Sequence, residues 1–115
     1  MTAPKHFRDR VEIASVRAET ESLDNGAAAA AKRRVAGRVL GRRDMGKLVF
    51  LDLVDRSGRI QLLCHTAKTG EVDVHLGDIV GATGSPSKSK RGEPSLDVDV
   101  IEILARIRTP LPDTF

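Results

Sequence analysis

The stretch RVAGRVLGRRDMGKLVFLDLVDRSGRIQLLCH, residues 34–65, decides the fold. Arg34–Arg43 interleaves β-branched residues with Gly37 and Gly41, the mark of a bent or bulged strand. Asp44-Met45-Gly46 reads as a turn and Lys47–Val54 as a second strand. Asp55-Arg56-Ser57-Gly58 is a hairpin turn of common length, and Arg59–His65 is a third strand. Side chains alternate across a strand, so Val49, Leu51 and Leu53 share one face while Leu48, Phe50 and Asp52 share the other. The unbroken aliphatic set is the expected interior. In the third strand Ile60, Leu62 and Cys64 form the matching set, which leaves Gln61, Leu63 and His65 outside. Closing the hairpin at Asp55–Gly58 sets Val54 opposite Arg59, Asp52 opposite Gln61 and Phe50 opposite Leu63. Phe50 and Gln61 are then diagonal neighbours on one outward surface, close enough to touch the same small ligand.

Downstream, the polar segment Thr66–Leu76 has room for a turn of helix. Asp78–Ser85 is a fourth, glycine-punctuated strand, Ser87–Pro94 a basic loop, and Ser95–Leu104 alternates like a fifth strand. Asp97 and Asp99 share one face of that strand and read as the solvated side of a sheet edge. Upstream, residues 5–24 are charge-rich, with Val11, Ala14, Ala18 and Leu23 on one possible helix face that Ile13 and Val16 interrupt. Asp24-Asn25-Gly26 is a stop signal, and Ala27–Ala31 suits helix or linker equally. Five glycine-bent strands with a polar connection between the third and fourth predict an all-β chain, the five-stranded Greek-key barrel called the OB-fold. An SH3-like barrel is the alternative, and the length of residues 33–107 favours the OB arrangement. The expected division is an N-terminal arm, helical or flexible, over residues 1–32, a barrel over 33–107, and a Pro-rich linker over 108–115.

At 115 residues the chain is one domain, able to bury a modest core but not a core plus a roomy catalytic cleft. No run approaches the ~18–20 apolar residues of a membrane span, and MTAPKHFRDR has no secretory h-region. The single cysteine, Cys64, rules out an internal disulfide and points to a reducing, cytoplasmic setting. His6, His65 and His75 do not make metal-ligand spacing with Cys64, so no metal site is expected. The net charge of +3 is mild, but between Lys32 and Lys47 seven basic residues (Lys32, Arg33, Arg34, Arg38, Arg42, Arg43, Lys47) face one acid, Asp44. Such a run is either a phosphate-tracking stripe or a solvated strand face. Phe50 tips the balance, because the barrel holds no other aromatic residue. An exposed ring beside positive charge is a stacking platform for a single-stranded base, and Gln61 offers both donor and acceptor to a base edge. Reversed strand parity would instead make Phe50 a core residue.

Val35-Ala36-Gly37-Arg38-Val39, Arg42-Arg43-Asp44-Met45-Gly46-Lys47, Phe50, Asp52–Asp55 and Gly58–Leu62 follow one another in an order that resembles the anticodon-binding domain of class IIb aminoacyl-tRNA synthetases. Leu76–Gly81, Lys88–Glu93 and the lysyl-like tail Thr109–Phe115 extend the resemblance over residues 33–115. It implies that Phe50 stacks on the central anticodon uridine, Gln61 reads that base, Arg43 helps hold it, and Glu93 contacts a neighbouring base. Arg38, Arg42 and Lys47 are the further candidate RNA-binding residues. The implied partner is tRNA, with a homodimer possible and no membrane contact. No catalytic residue is found, and no cofactor is expected in this chain. ATP and Mg would belong to a catalytic domain of the lysine-type ligase that these residues do not include. An atypical lysyl enzyme, or the synthetase-like half of a lysyl-phospholipid-making protein, fits the same residues. The competing functions are a general single-strand-binding OB protein and a dimerisation module of a synthetase.

Overall fold

A computed structural model describes residues 7–106. Its elements are α1 (Ile13–Thr20), β1 (Arg33–Met45), β2 (Leu48–Asp55), β3 (Gly58–His65), α2 (Thr66–Thr69), β4 (Ile79–Lys88) and β5 (Pro94–Ala105). The strands close into a barrel in the order β1-β2-β3-β5-β4. All neighbours are antiparallel except β3 and β5, which run parallel over Gln61–Leu63 and Ser95–Asp97. This is the five-stranded OB-fold expected from the alternation and glycine pattern. The Pro-rich tail and its proposed linker role lie outside the described residues.

The β2–β3 register pairs Val54 with Arg59, Asp52 with Gln61 and Phe50 with Leu63. Val49, Leu51, Leu53, Ile60, Leu62 and Cys64 all point inward and are at most 4% exposed. Val35, Val39, Val80, Ala82, Leu96 and Val98 complete the barrel interior. Burial pushes the Cys64 thiol up to about 12, so it is a packing group and not a nucleophile.

Several elements differ from the sequence reading. β1 continues to Met45, which pairs with Leu48, so the first hairpin turn is Gly46-Lys47 and not Asp44-Met45-Gly46. Gly46 has φ 64°, the left-handed value that the first position of a II′ hairpin turn requires. The arm carries a helix whose buried residues are Ile13, Val16 and Thr20, whereas Val11, Ala14 and Ala18 are exposed. The buried face is therefore the one that seemed to interrupt the stripe. Ile13 and Val16 join the barrel core, where burial of each contributes roughly 1.5–3 kcal/mol. The segment 66–76 is less polar in effect than in composition, since Val72 and Val74 are also in that core. Along Ser95–Asp97, β5 is flanked by both β3 and β4 and is not an edge; Asp97 and Asp99 bind Lys68, and Asp99 also binds Lys32.

Asp55 joins the helix to the barrel. Its Oδ1 accepts hydrogen bonds from Ser57 N (2.7 Å), Ser57 Oγ (2.6 Å) and Gly58 N (3.1 Å), which closes the turn. Oδ2 accepts from Ile13 N at 3.0 Å, at the start of α1. Glu12, the helix's own N-cap, makes no side-chain cap, so a residue 42 positions away supplies it. Ala14 N donates to Ser57 Oγ in the same corner. A carboxylate there also meets the positive end of the helix dipole. Burial raises the Asp55 carboxyl, but the hydrogen bonds from Ser57, Ile13 and Gly58 outweigh it and hold the group below the usual range.

Two outcomes follow. A group whose native pKa is depressed stabilises the fold above its unfolded value of about 3.9 and loses that contribution as pH falls through the native value. The stability gap between the wild type and Asp55→Asn, measured by urea unfolding, is therefore full near neutrality and narrows below about pH 4. A gap independent of pH would show that the charge on Asp55 contributes nothing. Gly84 lies at the β4–β5 register shift, where an added Cβ would collide with the backbone carbonyl of Asp97. Gly84→Ala is expected to cost roughly 1–3 kcal/mol by overpacking, and an unchanged urea midpoint would contradict that tight closure.

Candidate nucleic-acid interface

The barrel register lays residues in rows across several strands, partly exposed or exposed on β1–β3 and buried at Ser85, Ser87 and Ser95. One row runs Arg43, Phe50, Leu63, Asp97 and Ser85 over β1, β2, β3, β5 and β4. The adjacent row runs Gly41, Asp52, Gln61, Ser95 and Ser87. Phe50 and Gln61 are the diagonal pair expected from parity, and Phe50 is partly exposed and does not fill the core. Its ring has the Arg43 guanidinium 4.6 Å from the centroid, a cation–π contact. Gln61 Nε2 donates to Ser95 Oγ at 3.3 Å, and Ser95 Oγ donates to Glu93 O at 3.0 Å. The amide of Gln61 is thus oriented, while its carbonyl oxygen and second N–H make no other hydrogen bond among the described residues.

These residues floor an open groove of about 940 Å³, at the upper end of ligand-cleft volumes (~300–1,000 Å³). Its floor also includes Met45, Leu48, Leu63 and His65, and one wall is the β4–β5 loop. The end of β4 and that loop bring Lys88, Lys90 and Arg91 to the rim, with Glu93. Four basic residues, with the acids Glu93 and Asp97, therefore line a partly apolar groove bearing one aromatic ring. A base can stack on that floor while its phosphates meet the rim.

The seven-residue basic run does not act as one stripe. Because β1 alternates, its members leave on different sides and meet different partners. Arg33 forks onto Glu19, with Nη2 to Oε1 at 2.7 Å. Arg34 lies over Phe7, 4.1 Å from the ring centroid, and Lys32 binds Asp99 at 2.7 Å. Arg42 forks onto Asp44 and donates to the carbonyls of Val72 (2.7 Å) and Val74 (2.8 Å), which ties the 66–76 connection to β1. Arg38 lines a separate groove with Arg10, Val54 and Arg56. Lys47 occupies the β1–β2 turn and is not among the groove residues. Of the seven candidates, the groove brings together Phe50, Gln61, Arg43 and Glu93 and leaves out Arg38, Arg42 and Lys47.

The sequence reading passed over Lys88, Lys90 and Arg91 as individual contacts, although it marked their loop as basic. It also passed over Gly26, Ala27 and Ala28, which form part of the groove wall. Nothing in an alanine run signals that placement. Among the described residues no group of His, Cys, Asp and Glu has the makings of a metal site, and no helix is long and apolar enough to cross a membrane.

Residues 34–104 match the tRNA anticodon family, described as an OB-fold nucleic acid binding domain. The lysine–tRNA ligase of Dehalococcoides mccartyi (strain ATCC BAA-2266 / KCTC 15142 / 195) is 42% identical over 70% of this chain and 17% of its own length. That of Xylella fastidiosa (strain 9a5c) is 34% identical over 95% of this chain and 23% of its own. The chloroplastic/mitochondrial lysine–tRNA ligase of Arabidopsis thaliana is 41% identical over 70% of this chain and 15% of its own. The chain thus spans less than a quarter of the length of these relatives. Barrel topology, an outward aromatic in a basic groove and the match over 34–104 agree: the chain belongs to the anticodon-binding OB-fold family represented in lysine–tRNA ligases.

Proposed function

We propose that this chain reads the anticodon loop of a tRNA, with the central base, a uridine, stacked on Phe50. The observation that carries this reading is the juxtaposition of Phe50, Arg43 and the Ser95-oriented amide of Gln61 on one groove floor. The ring supplies sequence-tolerant stacking, and Gln61 supplies choice through the donor and acceptor on the base edge. Arg43 brings positive charge beside the ring, and Glu93 meets a neighbouring base from the loop. Lys88, Lys90 and Arg91 track the loop phosphates, which makes binding salt-sensitive. Single-stranded RNA loops are the natural ligands of such a floor, because their bases splay out. A protein that binds any single strand stacks it along several aromatics, and the barrel has one. In this reading residues 33–107 form the binding domain of a cytoplasmic lysine-type tRNA ligase. The ligase reaction, with its ATP and Mg, belongs to the length of the relatives that this chain does not span.

A binding titration at low salt, comparing a lysine-type anticodon stem–loop with the same hairpin carrying a central cytosine, tests the proposal. The uridine hairpin is expected to bind more tightly, and Phe50→Ala to remove about 1–3 kcal/mol of affinity, the worth of one stacked base. Equal binding of both hairpins would reduce the protein to a general single-strand binder. The two neighbouring arginines separate site from scaffold. Arg43→Ala is expected to weaken hairpin binding with little change in urea midpoint. Arg42→Ala, whose guanidinium is committed to Asp44, Val72 and Val74, lowers stability by on the order of 1–3 kcal/mol and leaves affinity near wild type. The reverse pattern would place the RNA on the other side of β1.

A further inference from the structure

We infer that the arm segment Gly26–Ala29 is part of the nucleic-acid site: it acts as a short sixth strand that fixes the Lys88–Glu93 loop over Phe50. The segment lies outside residues 34–104, which match the family, and the inference rests on the anticodon-reading function proposed above. Ala28 pairs antiparallel with Ser87 at the end of β4. Around that pair, Ala29 N donates to Pro86 O at 2.7 Å and Lys88 N donates to Ala27 O at 2.9 Å. These two bonds flank Ala28 and Ser87 as a non-hydrogen-bonded antiparallel pair, the type with the closer Cα atoms. Gly26 N then donates to both Lys88 O (2.8 Å) and Ser89 O (3.2 Å).

Beyond this ladder the loop closes on itself. Ser89 N donates to Glu93 O at 3.0 Å, Gly92 N to Ser89 O at 2.9 Å, and Glu93 N to Ser89 Oγ at 3.0 Å. Asn25 lies against the tip, so near that a Cβ on Gly92 would stand 3.3 Å from Asn25 Oδ1. The tip is therefore a compact unit whose attachment on one side is the arm. Gly26, Ala27 and Ala28 also line the groove itself. Small side chains there leave the wall thin and the groove open. Ser87 is 5% exposed and its Oγ has no hydrogen-bond partner among the described residues. The arm thus sets the distance between the basic rim and the stacking ring. With it in place, the loop is ordered before RNA arrives, and binding does not bear that cost.

The test uses the full chain and the lysine-type anticodon hairpin. Ala29→Pro removes the donor to Pro86 O without touching the groove floor. It is expected to weaken hairpin binding about threefold to tenfold, the range for ordering one side chain on binding. The Lys88 amide is expected to exchange its hydrogen faster while the melting temperature stays near wild type. Faster exchange with unchanged affinity would overturn the inference. The double variant A28C/S87C locks the latch by a disulfide across the close pair. The oxidised form is expected to bind at least as tightly as the reduced form. Loss of binding on oxidation, regained on reduction, would show that the arm must open for RNA and would also overturn it. If the wild type binds no hairpin, this inference and the proposed function fall together. If the wild type prefers the central uridine and Ala29→Pro binds as well, only the arm's role falls.

Discussion

One carboxylate holds the parts in relation. Asp55 closes the β2–β3 turn with one oxygen and caps α1 with the other. The first contact fixes the hairpin register, and a one-residue slip of β2 against β3 would exchange inside for outside along β2. Val49, Leu51 and Leu53 would then face water, and Phe50 would enter the core. The second contact seats a helix with no cap of its own, so that Ile13 and Val16 reach the barrel interior. The stacking ring, the base-reading amide and the core thus depend on a turn at the far end of the strands from the groove.

Charge is divided in the same economical way. A run of basic residues on a strand cannot present one face, because successive side chains point to opposite sides. In β1 this sends Arg43 to the groove and Arg42 to the opposite side, where it satisfies two backbone carbonyls of the connection between β3 and β4. Such carbonyls, belonging to no ladder, would otherwise be costly to bury beside Val72 and Val74. The basic character of the groove comes instead from Lys88, Lys90 and Arg91, far along the chain. Neighbouring arginines with similar side chains therefore have unrelated tasks.

How much was legible in the sequence follows from the range of each interaction. Parity in β2 and β3 is local, and it placed Phe50, Gln61 and Leu63 on one face because the turn at Asp55–Gly58 carries its own register signal. Glycine spacing and strand count were enough for the barrel. The helix face was misread because α1 has little amphipathic contrast; the place where it docks, not its pattern, decides that Ile13 and Val16 are covered. Val72 and Val74 were hidden among Glu71, Asp73 and His75, whose alternation in a short connection resembles surface. The arm's pairing with β4 joins Ala28 to Ser87 across 59 positions, and nothing local to an alanine run announces it. Local signals thus gave the floor of the groove, and long-range contacts built its walls.

The parallel contact between β3 and β5 has a consequence for how the protein acquires its shape. β1, β2 and β3 form a meander joined by short turns, whose contacts are local and form quickly. β5 must be inserted between β3 and β4, so the barrel cannot close until the chain has emerged almost to Ala105. Until then β3 has an open edge, and one face of the meander exposes Leu51, Leu53, Ile60 and Leu62, which makes the nascent chain prone to association with its neighbours. Phe50 and Gln61 both belong to the meander, whereas Lys88–Glu93 lies at the junction of β4 and β5. The groove therefore joins residues of the meander to a rim that only closure of the barrel brings beside them.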